Sequence, residues 1–294
     1  MNIRTPMDLS RKTSDSHFIP LNTIVEGDVG KILSKIPENI IDLTVTSPPY
    51  DKLRDYQGYS FNFELLAKNL FRITKPGGVV VWVIGDSTVD GSETGSSFKQ
   101  ALEFKEIGFK LHDTMIYEKS GFAFPSKRRY HQIFEYMFVF SKGRPKTFNP
   151  LMDRPNKAQY TFSKKRRKKD GSISHSGDTS RITVKEYGMR FNIWRYKTGK
   201  GHTTKDDCAY EHPALFPEAL ARDHIVSWSN EGDLVLDPLN GAGTTTKMAY
   251  SLHRKFIGID ISKRYCEIAL ERLKTVKVND PTLSEEFHSE IFTI

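Results

Sequence analysis

Apolar residues along this chain fall into short β-branched runs that alternate with stretches of helical spacing. Residues 40–45 form such a run and stop at Ser47-Pro48-Pro49, which predicts a buried strand followed by a sharp turn. Between 62 and 73 the apolar side chains Phe63, Leu66, Leu70 and Ile73 have the spacing of one helix face, and the pattern ends before Lys75-Pro76-Gly77-Gly78. A second buried strand is predicted at 79–84, a helix at 97–107, and further strands at 110–117 and 133–140. Periodicity fades between 141 and 205. It returns from Pro213 with a helix to about residue 229, a strand at 234–236, a Gly/Thr turn, a helix to 252, a strand at 256–260 and a helix at 263–273. Strands separated by helices imply a mostly parallel sheet flanked by helices, hence an α/β fold.

This pattern divides the chain into a flexible N-terminal arm (1–20), a main domain (21–140 and 206–278), an irregular insert (141–205) and a C-terminal tail (279–294). A chain of 294 residues that is 37% hydrophobic and 27% charged has ample material for a folded core. No apolar run approaches the roughly 18 residues of a membrane span. The polar first residues lack the apolar core of a signal peptide. Cys208 and Cys266 are too few for a disulfide framework or a four-thiolate zinc site, so no metal is expected and a reducing cytoplasm is the expected setting.

Charge changes the picture more than composition does. Residues 119–205 hold 22 basic and 5 acidic residues, a net of +17, which leaves 22 basic against 31 acidic elsewhere, a net of −9. One segment is therefore expected to face a polyanion. Lys127, Arg128 and Arg129 and the run Lys164, Lys165, Arg166, Arg167, Lys168 and Lys169 are candidates to neutralise phosphates, although such a run also suits a solvated loop. Tyr130, Tyr160, Phe162, Tyr187 and Trp194 interleave with them. Arg190, Asn192 and Arg195 are candidates to read base edges, while Trp194 suits a place in the core.

Two turns carry candidate chemistry. Residues 234–237 lead into Pro238, Leu239, Asn240, Gly241, Ala242, Gly243, Thr244 and Thr245, followed by a helix. The glycines allow close backbone approach to a ligand, and the helix start offers free N–H groups to an anion. Asp260 ends the next strand, 17 residues after Gly243, where an acid suits the hydroxyls of a ribose. A nucleoside-bearing ligand is the functional reading and a structural turn the plain one. The third glycine of a dinucleotide fingerprint is replaced by Thr244-Thr245-Thr246, which weakens a nicotinamide reading. The other turn, Thr46-Ser47-Pro48-Pro49-Tyr50, is a stiff loop whose paired prolines fix the carbonyls of Ser47 and Pro48. Such acceptors suit both hydrogens of an amino group, and Tyr50 suits stacking on the ring that bears it.

Together these turns resemble the catalytic and cofactor motifs of the DNA amino-methyltransferases that use S-adenosylmethionine. The catalytic motif comes first and the basic stretch lies between the two, an order similar to the group called beta. Glu26-Gly27-Asp28 and the stretch His212-Pro213-Ala214-Leu215-Phe216-Pro217 also match, so the resemblance covers about residues 24–140 and 190–275. It implies a Rossmann-like methyltransferase fold with an inserted target-recognition region. It further implies that Asp28 meets the cofactor's adenine and Asp260 its ribose. Thr46, Asp237, Pro238, Asn240, Gly241, Gly243, Thr244 and Thr245 would form the cofactor loop, with His212, Pro213 and Phe216 as its wall. Asp28 and Asp260 are equally placed to cap the helices that follow them.

By the same resemblance Ser47, Pro48, Pro49 and Tyr50 are the catalytic set, acting by direct in-line transfer to an exocyclic amine of a base flipped out of double-stranded DNA. Neither cysteine has the setting of a carbon-5 methyltransferase nucleophile. Ser rather than Asp at the first motif position points to cytosine N4, with adenine N6 as the alternative. A catalytically silent DNA-binding protein is the alternative of another class. The family also implies a cytoplasmic, nucleoid-associated protein, monomeric or homodimeric, with a cognate restriction endonuclease as a possible partner.

Overall fold

The computed structural model describes residues 19–49, 62–122, 127–156, 165–175, 185–276 and 287–293. Tyr50, Lys164, Tyr160, Phe162 and nearly all of the N-terminal arm lie outside the described residues. The main sheet has nine strands, numbered here along the chain: β1 Thr23–Glu26, β2 Ile41–Thr46, β3 Thr74–Ile84, β4 Lys110–Lys119, β5 Phe134–Ser141, β6 Ile193–Tyr196, β7 Leu234–Asp237, β8 Lys255–Asp260 and β9 Phe292–Thr293. Their spatial order is β6-β4-β5-β3-β2-β7-β8-β1-β9. Only β5 runs against the others within this sheet. Among the described residues six α-helices connect the strands: α1 Val29–Lys35, α2 Phe63–Ile73, α3 Ser96–Ile107, α4 Glu218–Trp228, α5 Thr244–Ser251 and α6 Lys263–Lys274.

Alternation along the strands supplies both cores. On β3, Val80, Trp82 and Ile84 join the α1–α3 side with Leu33, Leu70 and Phe104. Val79, Val81 and Val83 face the other way, with Leu220, Ile225, Cys266 and Leu270 of α4 and α6. A sheet covered on both faces by helices explains why β2 and β3 read as near-continuous apolar runs. Short-range capping places the helix starts: Asp28 accepts from the Lys31 N–H at 2.9 Å and Asn62 from the Leu65 N–H at 3.0 Å.

Three segments differ from the sequence reading. Residues 193–196, assigned to the insert, are an edge strand of the main sheet, paired in parallel with β4, and Trp194 and Tyr196 on one face are buried. The tail returns Phe292 and Thr293 to the opposite edge, against Val25 and Glu26 of β1. The helix expected from Pro213 begins only at Glu218, after Pro217 in the cap position, whose fixed φ suits a helix entrance and whose ring forbids earlier helical bonding. What remains of the insert contains two small antiparallel ribbons, Arg154–Pro155 with Tyr187–Gly188 and Lys165–Arg167 with Ile173–His175. No helix among the described residues is long and apolar enough to cross a membrane.

Candidate active site

β2 and β7 are hydrogen-bonded neighbours in the sheet, with Leu43 opposite Val235 and Thr44 opposite Leu236. The turns that follow them are far apart in sequence yet leave the same carboxyl edge side by side, where the strand order reverses and open α/β sheets bind ligands. Thr46 Oγ1 donates to Asp237 Oδ1 at 2.7 Å, and Thr245 Oγ1 donates to the Val45 carbonyl at 3.0 Å. Asp237 also accepts from the Leu239 N–H at 3.2 Å. Burial pushes the Asp237 carboxyl up to about 6, against the opposing hydrogen bonds from Thr46 and the Leu239 N–H. These three residues, Thr46, Thr245 and Asp237, clamp the two turns from beneath and do not line the cavity above.

Gly241 and Gly243 adopt φ of +47° and +75°. A Cβ on Gly241 would lie 2.8 Å from His212 Nε2, and one on Gly243 would lie 2.6 Å from the Ala269 Cβ. The first glycine admits the His212 wall and the second admits α6. Asp260 holds the turn from the side: Oδ2 accepts from the Gly241 N–H at 2.7 Å and Oδ1 from the Ser262 N–H at 2.8 Å. Burial raises the Asp260 carboxyl, with those backbone bonds opposing. Asp28 caps α1 and also lines the cavity, so both readings coexist there, whereas Asp260 lines the cavity but does not cap α6, whose N-cap is Ser262.

The cavity over this edge has a volume of about 1020 Å³. Ser47, Pro48 and Pro49 line it, together with Asp28, Pro238, Asn240, Gly241, Thr244 and Asp260 and with His212, Pro213 and Phe216; Gly243 is not part of the lining. Ligand pockets commonly span about 300–1,000 Å³, so this one has room for two small molecules side by side. A nucleoside-bearing ligand fits the glycine turn, where side chains are withheld and two carboxylates stand ready to accept from hydroxyl and amino groups. A further part of the wall was not legible in the sequence. Tyr117, Lys119 and Glu135 line it from β4 and β5, and Lys119 Nζ lies 2.6 Å from Glu135 Oε1. Alternation on β4 was the available signal, since it puts Tyr117 and Lys119 on one face.

The basic candidates separate into two kinds. Lys127, Arg128 and Arg129 are exposed on the loop between β4 and β5, beside a fully exposed Tyr130 that lines the cavity. Arg129 anchors this loop by donating to Thr88 Oγ1 at 3.1 Å and the Gly91 carbonyl at 2.6 Å. Lys165, Arg166 and Arg167 form one side of a ribbon in the insert, and Arg167 is exposed. Arg190, by contrast, bonds Asp153 and reaches Asp223 Oδ2 at 2.6 Å, next to Tyr196. Asn192 Nδ2 donates to Asp113 and to the Thr114 carbonyl, and Arg195 bonds Glu118. These three bind the insert's end to the domain because their partners on β4 and α4 are carboxylates and carbonyls at contact distance.

Cys208 and Cys266 do not line the cavity; burial raises both thiols, so neither presents a thiolate to a base.

Comparison with known proteins agrees with this architecture. The chain is 62% identical over 240 residues to the orphan methyltransferase M.BamHII of Bacillus amyloliquefaciens, a match covering 80% of this chain and 89% of that one. The fold matches TTHA0409 of Thermus thermophilus, a putative DNA modification methylase, with a TM-score of 0.59, 25% identity and coverage of 88% and 97%; that protein has also been solved with S-adenosyl-L-methionine. It also matches the cytosine-N4-specific PvuII DNA methyltransferase with a TM-score of 0.63 at 18% identity, covering 91% and 92%. The N6/N4 DNA methylase model matches residues 41–271, nearly the whole span from β2 to the end of α6, and the chain therefore belongs to that family of DNA methyltransferases.

Proposed function

We propose that this protein transfers a methyl group to the exocyclic N4 amine of a cytosine flipped out of duplex DNA. The observation that carries the reading is the Thr46–Asp237 hydrogen bond at 2.7 Å, which joins the Ser-Pro-Pro turn to the glycine turn on one cavity. S-adenosylmethionine supplies an electrophilic methyl on a sulfonium. The residues that would hold it are Asp28, Asp260, Gly241 and Thr244, with His212, Pro213 and Phe216 beside them.

The Ser-Pro-Pro turn does the remaining work. An exocyclic amine is a poor nucleophile because its lone pair is delocalised into the base. The Ser47 hydroxyl and the Pro48 carbonyl accept its two hydrogens and favour a pyramidal nitrogen with an available lone pair. Rigid prolines keep these acceptors in place, so catalysis rests on positioning and electrostatics. The amine of a paired base faces its partner strand, which is why the base must leave the stack. Serine as the first residue of the turn supports cytosine over adenine, and the family's name covers both amines. The relative named as an orphan supports a methyltransferase that works without a restriction partner.

The test is mass spectrometry of nucleosides after unmethylated duplex DNA is incubated with the protein and methyl-labelled S-adenosylmethionine. Labelled N4-methylcytosine is the expected product. Labelled N6-methyladenine would keep the mechanism and overturn the base. No labelled base in DNA of varied sequence, with cofactor bound, would favour a silent DNA-binding protein.

A further inference from the structure

Behind the glycine turn lies a cluster of charges that the chemistry above does not use. Arg272 of α6 is fully buried. Its Nη1 donates to the Ala242 carbonyl at 2.6 Å and to Thr244 Oγ1 at 3.1 Å. Its Nε donates to Asp206 Oδ2 at 2.8 Å, and its Nη2 to Glu218 Oε1 at 2.7 Å and Thr204 Oγ1 at 3.4 Å. Every N–H that a guanidinium owns thus has an acceptor. Lys247 of α5 closes the ring, with Nζ 2.6 Å from Asp206 and 2.9 Å from Glu218.

The acceptors belong to two segments that meet at the cavity. Ala242 and Thr244 line the cavity on the glycine-turn side. Asp206 and Glu218 bracket the segment that carries His212, Pro213 and Phe216. Arg272 and both carboxylates lie off the cavity and touch no ligand position. Burying charges in this way is weak support for stability, because a well-packed apolar substitute often stabilises as much. What an apolar side chain cannot do is hold the Ala242 carbonyl, Thr244 and the 206–218 segment at fixed spacing.

The geometry points to Arg272 as a positioning residue that fixes the glycine turn against the 206–218 segment, both of which contribute lining to the cofactor half of the cavity, with Asp206 and Glu218 as its anchors. This inference rests on the reading of that half as the S-adenosylmethionine site.

The experiment compares wild type with Arg272→Lys, Arg272→Met and Asp206→Asn. For each, the dissociation constant for S-adenosylmethionine is measured by calorimetry, together with KM for the cofactor, kcat on unmethylated duplex DNA, DNA affinity and the thermal midpoint. Loss of charge-assisted bonds to the turn is expected to raise the cofactor dissociation constant and KM about tenfold or more. DNA affinity should not change, and kcat at saturating cofactor should stay within about threefold of wild type. Arg272→Lys keeps the cation and is expected to fall between wild type and Arg272→Met. Folded variants that bind the cofactor within about twofold of wild type would overturn the inference and leave Arg272 a purely structural group. If Arg272→Met does not fold, Asp206→Asn decides by the same split, since it removes one anchor and leaves the turn's own bonds intact. A wild type that binds DNA and not S-adenosylmethionine would overturn the functional reading first, and this inference with it.

Discussion

Gly241 and Gly243 share a left-handed backbone, yet an alanine at each should fail in a different way. The backbone alone costs about 1–2 kcal/mol for any residue with a Cβ in that region. At Gly243 (φ +75°) the new methyl would sit 2.6 Å from the Ala269 Cβ and 3.0 Å from its Cα. Both belong to buried α6, which cannot yield without shifting the whole helix. Overpacking of this kind adds about 1–3 kcal/mol, so Gly243→Ala should lose about 2–5 kcal/mol in total. For a chain of 294 residues that is a fall in thermal midpoint of roughly 3–8 °C. At Gly241 (φ +47°) the nearest atom is the tip of a side chain, His212 Nε2 at 2.8 Å. The imidazole can turn aside, and the space it takes is cofactor space. Gly241→Ala should therefore lose little beyond the backbone cost while weakening S-adenosylmethionine about ten- to a hundredfold. Thermal melting and calorimetric titration of both variants separate the two effects. Cofactor affinity preserved in Gly241→Ala, with a midpoint as low as that of Gly243→Ala, would refute the assignment of these glycines to different walls.

Ser47→Ala removes one acceptor for the amine and should lower single-turnover methylation about a hundredfold or more with cofactor affinity unchanged, read by rapid quench and calorimetry. Asp237 is held at about 6 by burial, above its ordinary 3.8. The folded state therefore grips that proton more tightly, and its stability contribution is full below about pH 4 and lost as pH rises to about 6, a change of about 3 kcal/mol. Asp237→Asn should remove that slope, so denaturation curves at a series of pH values should show the variant gaining on wild type between about pH 4 and 7; parallel profiles would sink the idea. Arg190→Leu removes one of the two cations on the Asp223 carboxylate, whose side chain is 4% exposed, and leaves Arg222 on its other oxygen, so it should cost about 2 kcal/mol in denaturant unfolding, with sequence preference on DNA unchanged.

What could be read from the sequence was what neighbouring residues decide among themselves. The β-branched run before Ser47, the caps at Asp28 and Asn62, and the acid that closes β8 all follow from local rules. What could not be read was pairing. Nothing near Thr46 says that its hydroxyl meets Asp237, because that contact depends on β2 and β7 being sheet neighbours. Lys75-Pro76-Gly77-Gly78 reads as a breaker, yet β3 runs through it, since a register shift against β2 between Ile41 and Leu43 absorbs the irregular residues. Ile193–Tyr196 did carry a period-two signal, with Trp194 and Tyr196 buried and Ile193 and Arg195 exposed. Four residues amid a run of basic side chains are too few for alternation to stand out. Nothing local in the helix at 263–273 marks Arg272 as buried, and only the tertiary fold shows it fully so.

The same distinction bears on how the protein meets DNA. The net of +17 over residues 119–205 overstates the charge that a duplex would encounter, because part of it is spent inside the protein. Lys119 is paired with Glu135, Arg190 with Asp153 and Asp223, and Arg195 with Glu118. Lys142 reaches the Phe71 and Thr74 carbonyls at 2.7 and 3.0 Å. Among the described residues of this segment, adjacent exposed basic side chains stand together in two places, Lys127, Arg128 and Arg129 on the loop beside the cavity and Arg167, Lys168 and Lys169 at the tip of the insert's ribbon, while Arg144, Lys146, Lys185, Lys197, Lys200 and Lys205 are exposed elsewhere. Internal pairs fix the frame on which these two groups are mounted. Arg190 ties the insert to α4 at its return, and Arg129 ties the β4–β5 loop to the Thr88–Gly91 turn. Phosphate contacts carry no sequence information, so under the proposed function such a division would let one group set the register of the duplex while the other, with exposed Tyr130 next to it, would work at the mouth of the cavity.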